Sequence, residues 1–86
     1  MRLVIEKAAL KGMDKMPPMA RKALLAKLRI VAADPFASHP FDVKAMKGEK
    51  DTFRIRQGDW RAVYVVVRID DTVSVRIVEI RGEVYR

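Results

Sequence analysis

Residues 53–81 read FRIRQGDWRAVYVVVRIDDTVSVRIVEIR, and this stretch decides the fold of the chain. At its start, Phe53 and Ile55 alternate with Arg54 and Arg56. Alternation of apolar and charged residues with a period of two is typical of a strand with one buried face. The pattern therefore predicts a strand that turns its two arginines away from the core.

Two further strands follow within the same stretch. Residues 60–69 and residues 72–81 are rich in valine, which favours strands, and the first of them is expected to lie centrally in the sheet. Short turns at residues 57–59 and 70–71 separate the three strands. Strands that are joined by such short turns must pair antiparallel.

Two predicted helices precede these strands. Residues 6–16 favour a first helix, and Pro17 and Pro18 interrupt the chain before a second one begins. The second helix has an apolar stripe with spacings of four, four and three residues, formed by Ala20, Leu24, Leu28 and Val31. It ends at Asp34, because the residue before a proline avoids the helical conformation. Residues 3–5 predict a short strand ahead of both helices.

The predicted order is βααβββ. It indicates an α+β fold in which an antiparallel sheet carries a helical hairpin on one face. Residues 35–50 are predicted to be a connecting segment, and residues 1–86 are expected to form one domain. The sheet face without helices is expected to present arginine and aromatic side chains, which together suit a single strand of nucleic acid.

Composition narrows the class of partner. The net charge is +7 and the pI is near 10.2, which predicts a polyanionic partner. Residues 1–50 carry eleven basic and five acidic side chains, whereas all seven cations of residues 51–86 are arginines. The arginine fork suits phosphate oxygens. Coding bias combined with an ordinary solvated surface would also explain this composition.

The cysteine count and the apolar runs bear on location and chemistry. No cysteine is present, which excludes disulfides and thiolate metal sites and favours a reducing cytoplasm. We expect neither a signal peptide nor a membrane span, because the longest apolar run covers only residues 62–67. His39 is the single histidine and is expected to be an exposed loop residue. We therefore expect no metal and no cofactor.

Five segments, taken in order, then suggest a family. They are Lys47 with Gly48, FRIR at residues 53–56, GDWRAVY at residues 58–64, the valine-rich last strand, and RGEVYR at residues 81–86. Together with the βααβββ order they resemble the RelE/ParE toxin superfamily of type II toxin–antitoxin systems, and RelE-type mRNA interferases in particular. The resemblance covers nearly the whole chain.

The resemblance implies a cytoplasmic toxin that meets the ribosome and messenger RNA. RelE-type members cleave mRNA in the ribosomal A site, so an endoribonuclease that uses metal-free attack by a 2′-hydroxyl is expected. It also implies an acidic antitoxin encoded nearby and a toxin–antitoxin hetero-oligomer. Two alternatives are a ParE-like, non-catalytic inhibitor of DNA gyrase and a decayed, non-toxic RNA-binding homologue.

The resemblance also assigns roles to residues. The catalytic residues that it implies are Arg61, Arg81 and Tyr85, and the residues that it implies for binding RNA and phosphate are Arg54, Arg56, Lys47 and Trp60. Each has a structural alternative. Arg54 and Arg56 would be a solvated strand face, Arg61 a stem packed under Trp60 with an exposed head, and Tyr85 an anchor for the terminus.

Two features near the chain end bear on the chemistry. A regular last strand would put Arg81 on the buried side with Val73, Val75 and Ile77, unless a bulge or the end of the strand near Glu79 freed it. In addition, Ile80 stands where many relatives have histidine, so the proton acceptor is unassigned. Glu79 and Glu83 are candidates for it, with salt bridges to neighbouring arginines as the alternative.

Overall fold

The computed structural model describes residues 1–80 of the chain. Its elements are β1 (Arg2–Ile5), α1 (Lys7–Asp14), α2 (Pro18–Ala33), β2 (Val43–Ala45), β3 (Thr52–Gln57), β4 (Trp60–Val67), a 3₁₀ turn (Arg68–Asp70) and β5 (Thr72–Ile80). Two helices and a sheet confirm the predicted α+β class.

Within residues 1–80, the sheet has five strands in the order β1-β5-β4-β3-β2. Strands β2 to β5 pair antiparallel with their neighbours, as short connections require. The expectation of a purely antiparallel sheet is wrong at one edge, where β1 pairs parallel with β5. Because β1 comes before the helical hairpin, it pairs with a strand that is distant in sequence, and no short turn fixes their relative direction.

Strand β2 is the element that the sequence prediction lacked. It lies inside the predicted connecting segment and has only three residues, which pair with Ile55, Arg54 and Phe53 of β3. Three residues are too few to show an alternating pattern in the sequence, so this short edge strand is recognised only by its pairing with β3.

The turn between β4 and β5 is longer than predicted, since β4 ends at Val67 and a 3₁₀ turn follows. The guanidinium of Arg68 donates hydrogen bonds of 2.8 and 3.0 Å to the Asp51 carboxylate. It also lies 4.2 Å from the centroid of the Phe36 ring. The hydrogen bond from Arg68 holds the pKa of Asp51 below its ordinary value. These contacts join three connecting segments at one end of the sheet.

One face of the sheet, the helix face, packs against both helices and forms the core. Leu24, Leu28 and Val31 of the predicted stripe are fully buried, which confirms the amphipathic reading of α2. From α1, Ala9 and Met13 enter the same core. The sheet contributes Ile55, Ala62, Tyr64, Val66, Val73, Val75 and Val78.

Helix α1 approaches β5 very closely, and Gly12 makes this approach feasible. A Cβ atom at position 12 would lie 1.9 Å from the carbonyl oxygen of Val78. A glycine that weakens the helix in isolation is therefore required by packing.

A β-bulge in β5 changes which residues face the helices. Tyr64 pairs with Val75, but its neighbour Val63 pairs with Ile77, so Arg76 is the extra residue. Beyond the bulge, Val78 is buried whereas Ile77 is 41% exposed. Of the two alternatives that the sequence left open, a regular strand and a bulged one, the structure therefore has the bulge, and Ile77 does not share the buried side with Val73 and Val75.

No helix within residues 1–80 is long and apolar enough to cross a membrane.

Candidate nucleic-acid interface

The sheet face opposite the helices, here called the arginine face, is defined by Arg54, Arg56 and Arg61. Arg54 on β3 lies directly between Lys44 of β2 and Val63 of β4. Arg56 lies directly opposite Arg61. Opposed residues share one face, so strand pairing gathers four cations there although they come from three strands.

Arg56 and Arg61 are directly opposed on neighbouring strands, as are Lys44 and Arg54. The Cα atoms of opposed residues in an antiparallel pair are about 4.5–5.5 Å apart. Like charges at this spacing repel each other, and a nearby anion reduces the repulsion. Two neighbouring guanidinium groups suit a phosphate, whose oxygens accept bidentate, charge-assisted hydrogen bonds.

Arg61 is far more enclosed than the sequence suggested. Only 5% of its surface is exposed, so the alternative with an exposed head is wrong. Its strand position also separates it from Trp60, which lies on the helix face. Within an enclosed site, the electrostatic effect of a guanidinium is stronger than in bulk water.

Asp42 was not identified from the sequence, and it links the two arginines of β3. One carboxylate oxygen lies 3.7 Å from an Arg54 nitrogen and the other lies 3.5 Å from an Arg56 nitrogen. The side chains of Arg54 and Arg56 are 16% and 34% exposed. Asp42 directly precedes β2, the strand that sequence patterns did not indicate, and this is why it was missed.

A groove of about 360 Å³ runs over the arginine face. Val63, Val65 and Ile77 form an apolar floor. The opposed pair of Arg61 and Glu79 lines the groove at one end, and Arg76 lines it at the bulge. Thr52 lines the other end together with Met46 and Glu49, to which backbone hydrogen bonds connect it. A chain with an anionic backbone and less polar sugars matches this combination of cations and aliphatic surface.

Aromatic residues do not line this face in the way that the sequence suggested. Phe53 pairs with Tyr64, and Trp60 pairs with Gln57 and Ile80, which places all three aromatic residues of β3 and β4 on the helix face. Trp60 packs against the core and lines a second groove together with Lys11 and Lys15 of α1. The structure therefore does not bring Trp60 together with the three arginines.

Tyr64 is an unsuitable proton donor or acceptor for chemistry on the arginine face. It is fully buried, and its ring stacks on Phe53. Burial raises the pKa of Tyr64 to about 12. Its hydroxyl thus stays protonated near neutral pH, and among the described residues it has no hydrogen-bond partner.

The other predicted site residues have different surroundings. Lys47 is exposed in the connection between β2 and β3, where its neighbour Met46 lines the groove. Arg81 and Tyr85 lie outside the described residues, and so does Glu83. The structure therefore describes the surroundings of Arg61, but not those of the other two predicted catalytic residues.

His39 lies in the connection between α2 and β2 and is partly exposed, and two contacts hold its ring. Its Nε2 atom donates a hydrogen bond of 2.9 Å to the carbonyl oxygen of Asp34, and its ring stacks on Phe41. Across residues 1–80, no three His, Cys, Asp or Glu side chains converge as metal ligands would.

Arg76 is held at the bulge by Glu6, which directly follows the neighbouring strand β1. Its Nε atom lies 2.9 Å from the Glu6 carboxylate, which also accepts a hydrogen bond from Ser74. This cation is therefore partly neutralised before any ligand binds.

Comparison with known proteins extends over nearly the full chain. No family model matches. A protein of Methanocaldococcus jannaschii that is named as a RelE1 toxin is 29% identical to this chain over 82 residues. The match covers 95% of this chain and 91% of that protein.

Two solved structures agree with it. The RelE–RelB complex from Pyrococcus horikoshii OT3 matches with a TM-score of 0.78 and 28% identity, covering 94% of each chain. The intact E. coli RelBE toxin–antitoxin complex matches with a TM-score of 0.77 and 28% identity, covering 91% of this chain and 93% of the other. Sequence and fold thus agree: over nearly its whole length, the chain is similar to RelE toxins.

Proposed function

We propose that this chain is the toxin of a type II toxin–antitoxin pair and that it cleaves messenger RNA on the ribosome. The observation that carries the proposal is the pair of opposed arginines, Arg56 and Arg61, on the sheet face that neither helix of residues 1–80 packs against. The similarity to RelE-type relatives supports the same activity.

The reaction is metal-free transfer of the phosphodiester to the neighbouring 2′-oxygen. The 2′-hydroxyl loses its proton and attacks phosphorus, negative charge grows on the non-bridging oxygens, and the bond to the 5′-oxygen breaks. Arg56 and Arg61 would stabilise that growing charge from fixed positions, which is the largest contribution that a site of this kind can make. The enclosure of Arg61 increases its effect.

The remaining assignments rest on the family resemblance. Arg81 would supply a further cation, and the hydroxyl of Tyr85 would protonate the departing 5′-oxygen. Arg54 and Lys44 would bind a neighbouring phosphate, since they lie side by side one step along the strands. Lys47 would contact the RNA outside the groove.

An acidic antitoxin is the proposed protein partner. Helix α2 carries four cations and no acidic residue, and its outer side exposes Met19 and Ile30 together with Lys22 and Arg29. An acidic amphipathic segment matches both the charge and the apolar surface. The matched structures from Pyrococcus horikoshii and E. coli are themselves complexes with RelB. Co-purification with a small acidic protein that is encoded next to this chain would test the proposal.

Cleavage of a defined messenger on programmed ribosomes tests the activity. Wild-type protein should cut the messenger, and Arg56→Ala should slow the cut by about 10²-fold, as expected when one charge-stabilising donor is removed. Arg29→Ala on α2 removes an exposed arginine far from the groove and should cut at nearly the wild-type rate.

Induction in cells separates the alternatives. New messenger 5′ ends during growth arrest support the nuclease. Gyrase-trapped DNA breaks with unchanged messenger ends would instead indicate a ParE-like inhibitor, and normal growth under strong induction would indicate a decayed homologue.

A further inference from the structure

The arginine face carries a carboxylate directly beside its most enclosed cation. Glu79 of β5 lies opposite Arg61 of β4, which in turn lies opposite Arg56 of β3. We propose that Glu79 is the general base that takes the proton from the attacking 2′-hydroxyl. This inference rests on the proposed ribonuclease function and supplies the proton acceptor that the arginines cannot provide.

The bulge at Arg76 is what places Glu79 on this face. In a regular strand, residue 79 would share the side of Val73 and Val75, which is the buried helix face. The extra residue shifts the alternation, so Ile77 and Glu79 line the groove whereas Val78 enters the core. This shift leaves Ile77 half exposed, which is unfavourable for stability. Bulges of this kind occur beside active sites, where they re-aim a side chain.

The position of Glu79 suits proton abstraction. Its Cα atom is about 5 Å from that of Arg61, because the two residues are directly opposed in an antiparallel pair. A phosphate that Arg56 and Arg61 hold would therefore lie within reach of the Glu79 side chain. The sugar that carries the 2′-hydroxyl can lie over Val63 and Ile77, on the apolar floor of the groove.

Three other carboxylates near this face are worse placed. Asp42 is shared between Arg54 and Arg56, and Glu6 is bound by Arg76 and Ser74. Glu49 lines the other end of the groove, near Thr52. Thr52 is four residues from Arg56 along β3, which is roughly 13 Å at about 3.3 Å per residue. Among residues 1–80, no salt bridge involves Glu79, in contrast to Asp42 and Glu6.

The proposed step balances in atoms and charge. The carboxylate of Glu79 accepts the proton of the 2′-hydroxyl while the 2′-oxygen forms its bond to phosphorus. The bond between phosphorus and the 5′-oxygen then breaks, and the leaving oxygen takes a proton from the Tyr85 hydroxyl. The products are a 2′,3′-cyclic phosphate and a free 5′-hydroxyl. Glu79 returns its proton to water, and Tyr85 regains one from water.

Single-turnover cleavage on programmed ribosomes tests the role of Glu79. Glu79→Gln keeps the shape of the side chain but removes its basicity, and should lower the cleavage rate by about 10²- to 10⁴-fold. Binding of a messenger with a 2′-deoxy nucleotide at the cleavage site should not weaken, since no cation is removed. Asp14→Asn neutralises an exposed carboxylate at the end of α1, outside the groove, and should leave the rate unchanged.

A pH profile distinguishes a base from a residue that only maintains the structure. The wild-type rate should fall toward acid pH as the base is protonated, and this fall should vanish in Glu79→Gln. Glu79→Asp should cleave more slowly than wild type but retain the acid fall. Circular dichroism shows whether Glu79→Gln folds. If it does not fold, the cleavage rate of Glu79→Asp tests the inference instead, and a rate equal to that of the wild type would overturn it.

Failure of this inference can be told apart from failure of the proposed function. A wild-type protein that leaves the messenger intact overturns both. A wild-type protein that cleaves, beside a folded Glu79→Gln that loses less than about tenfold in rate, overturns only the role of Glu79.

Discussion

Single residues determine how much positive charge the arginine face offers to a ligand. Asp42 divides its carboxylate between Arg54 and Arg56 at 3.7 and 3.5 Å, so one negative charge offsets two of the cations on β3. It also holds both guanidinium groups toward one edge of the sheet. Phosphate binding therefore competes with an internal anion, and this competition moderates the affinity for RNA.

Asp42→Asn should strengthen binding to a non-cleavable oligoribonucleotide. Loss of one carboxylate frees positive charge, so affinity at about 50 mM salt should rise roughly three- to tenfold, and the gain should shrink as salt increases. Fluorescence anisotropy across a salt series measures both effects. Asp59→Asn changes the same charge in the exposed β3–β4 turn and serves as the control. Weaker binding by Asp42→Asn would show that orientation of the arginines outweighs charge.

Tyr64 is a second residue whose surroundings predict a measurable effect. Its hydroxyl is buried without a partner among the described residues, so Tyr64→Phe removes an unsatisfied polar group. The free energy of unfolding at pH 7 should stay equal or rise by about 1 kcal/mol. Urea unfolding measures this change, and a loss of more than about 1 kcal/mol would indicate that the hydroxyl is satisfied.

The same tyrosine predicts a pH dependence. Burial raises the pKa of Tyr64 to about 12 from 10.0, so the folded state retains this proton at a pH where the unfolded chain has lost it. The contribution that the Tyr64 proton makes to the free energy of unfolding is therefore complete below pH 10. It is lost as the pH rises from 10 to about 12. Wild-type stability should therefore fall more steeply over this interval than that of Tyr64→Phe, by up to about 3 kcal/mol.

At the scale of elements, the contact between α1 and β5 depends on one missing side chain. A methyl group at position 12 would meet the backbone oxygen of Val78 at 1.9 Å, and backbone cannot rotate away as a side chain can. Helix α1 would have to move outward and loosen the packing of Ala9 and Met13 in the core.

Gly12→Ala should therefore destabilise the protein, although alanine favours an isolated helix by about 1 kcal/mol. We expect a net loss of roughly 1–3 kcal/mol, which lowers the melting temperature by several degrees. Lys11→Ala is the control, because Lys11 is exposed on the same helix and its replacement should be nearly neutral. An increase in melting temperature for Gly12→Ala would show that α1 can move without loss of packing.

At the scale of the whole molecule, the excess of positive charge opposes folding. The net charge of +7 includes the four cations of α2, a helix without any acidic residue. Self-repulsion of this kind weakens the compact state, and salt screens it. The melting temperature should rise by several degrees between about 20 mM and about 300 mM sodium chloride, because the Debye length shortens over this range. A constant or falling value in calorimetry would mean that local ion pairs already compensate the excess.

Sequence patterns alone determined the class of fold and the identity of the cations. The stripe of α2 and the alternation of Phe53 and Ile55 with Arg54 and Arg56 are local signals, because side-chain direction follows the period of the element. Turn residues fixed the antiparallel run of β3, β4 and β5 for the same local reason. Short segments of residues 47–86 also carried the resemblance to the toxin family.

Only the tertiary structure decided how the site is assembled. Strand β2, the parallel pairing of β1, the bulge at Arg76 and the link from Asp42 to two arginines all depend on residues that are distant in sequence. For this reason Trp60 lies on the helix face and Glu79 lies on the arginine face, which the sequence patterns did not predict. Strand register, which long-range packing sets, determines the face of every side chain, and a shift of one residue reverses it.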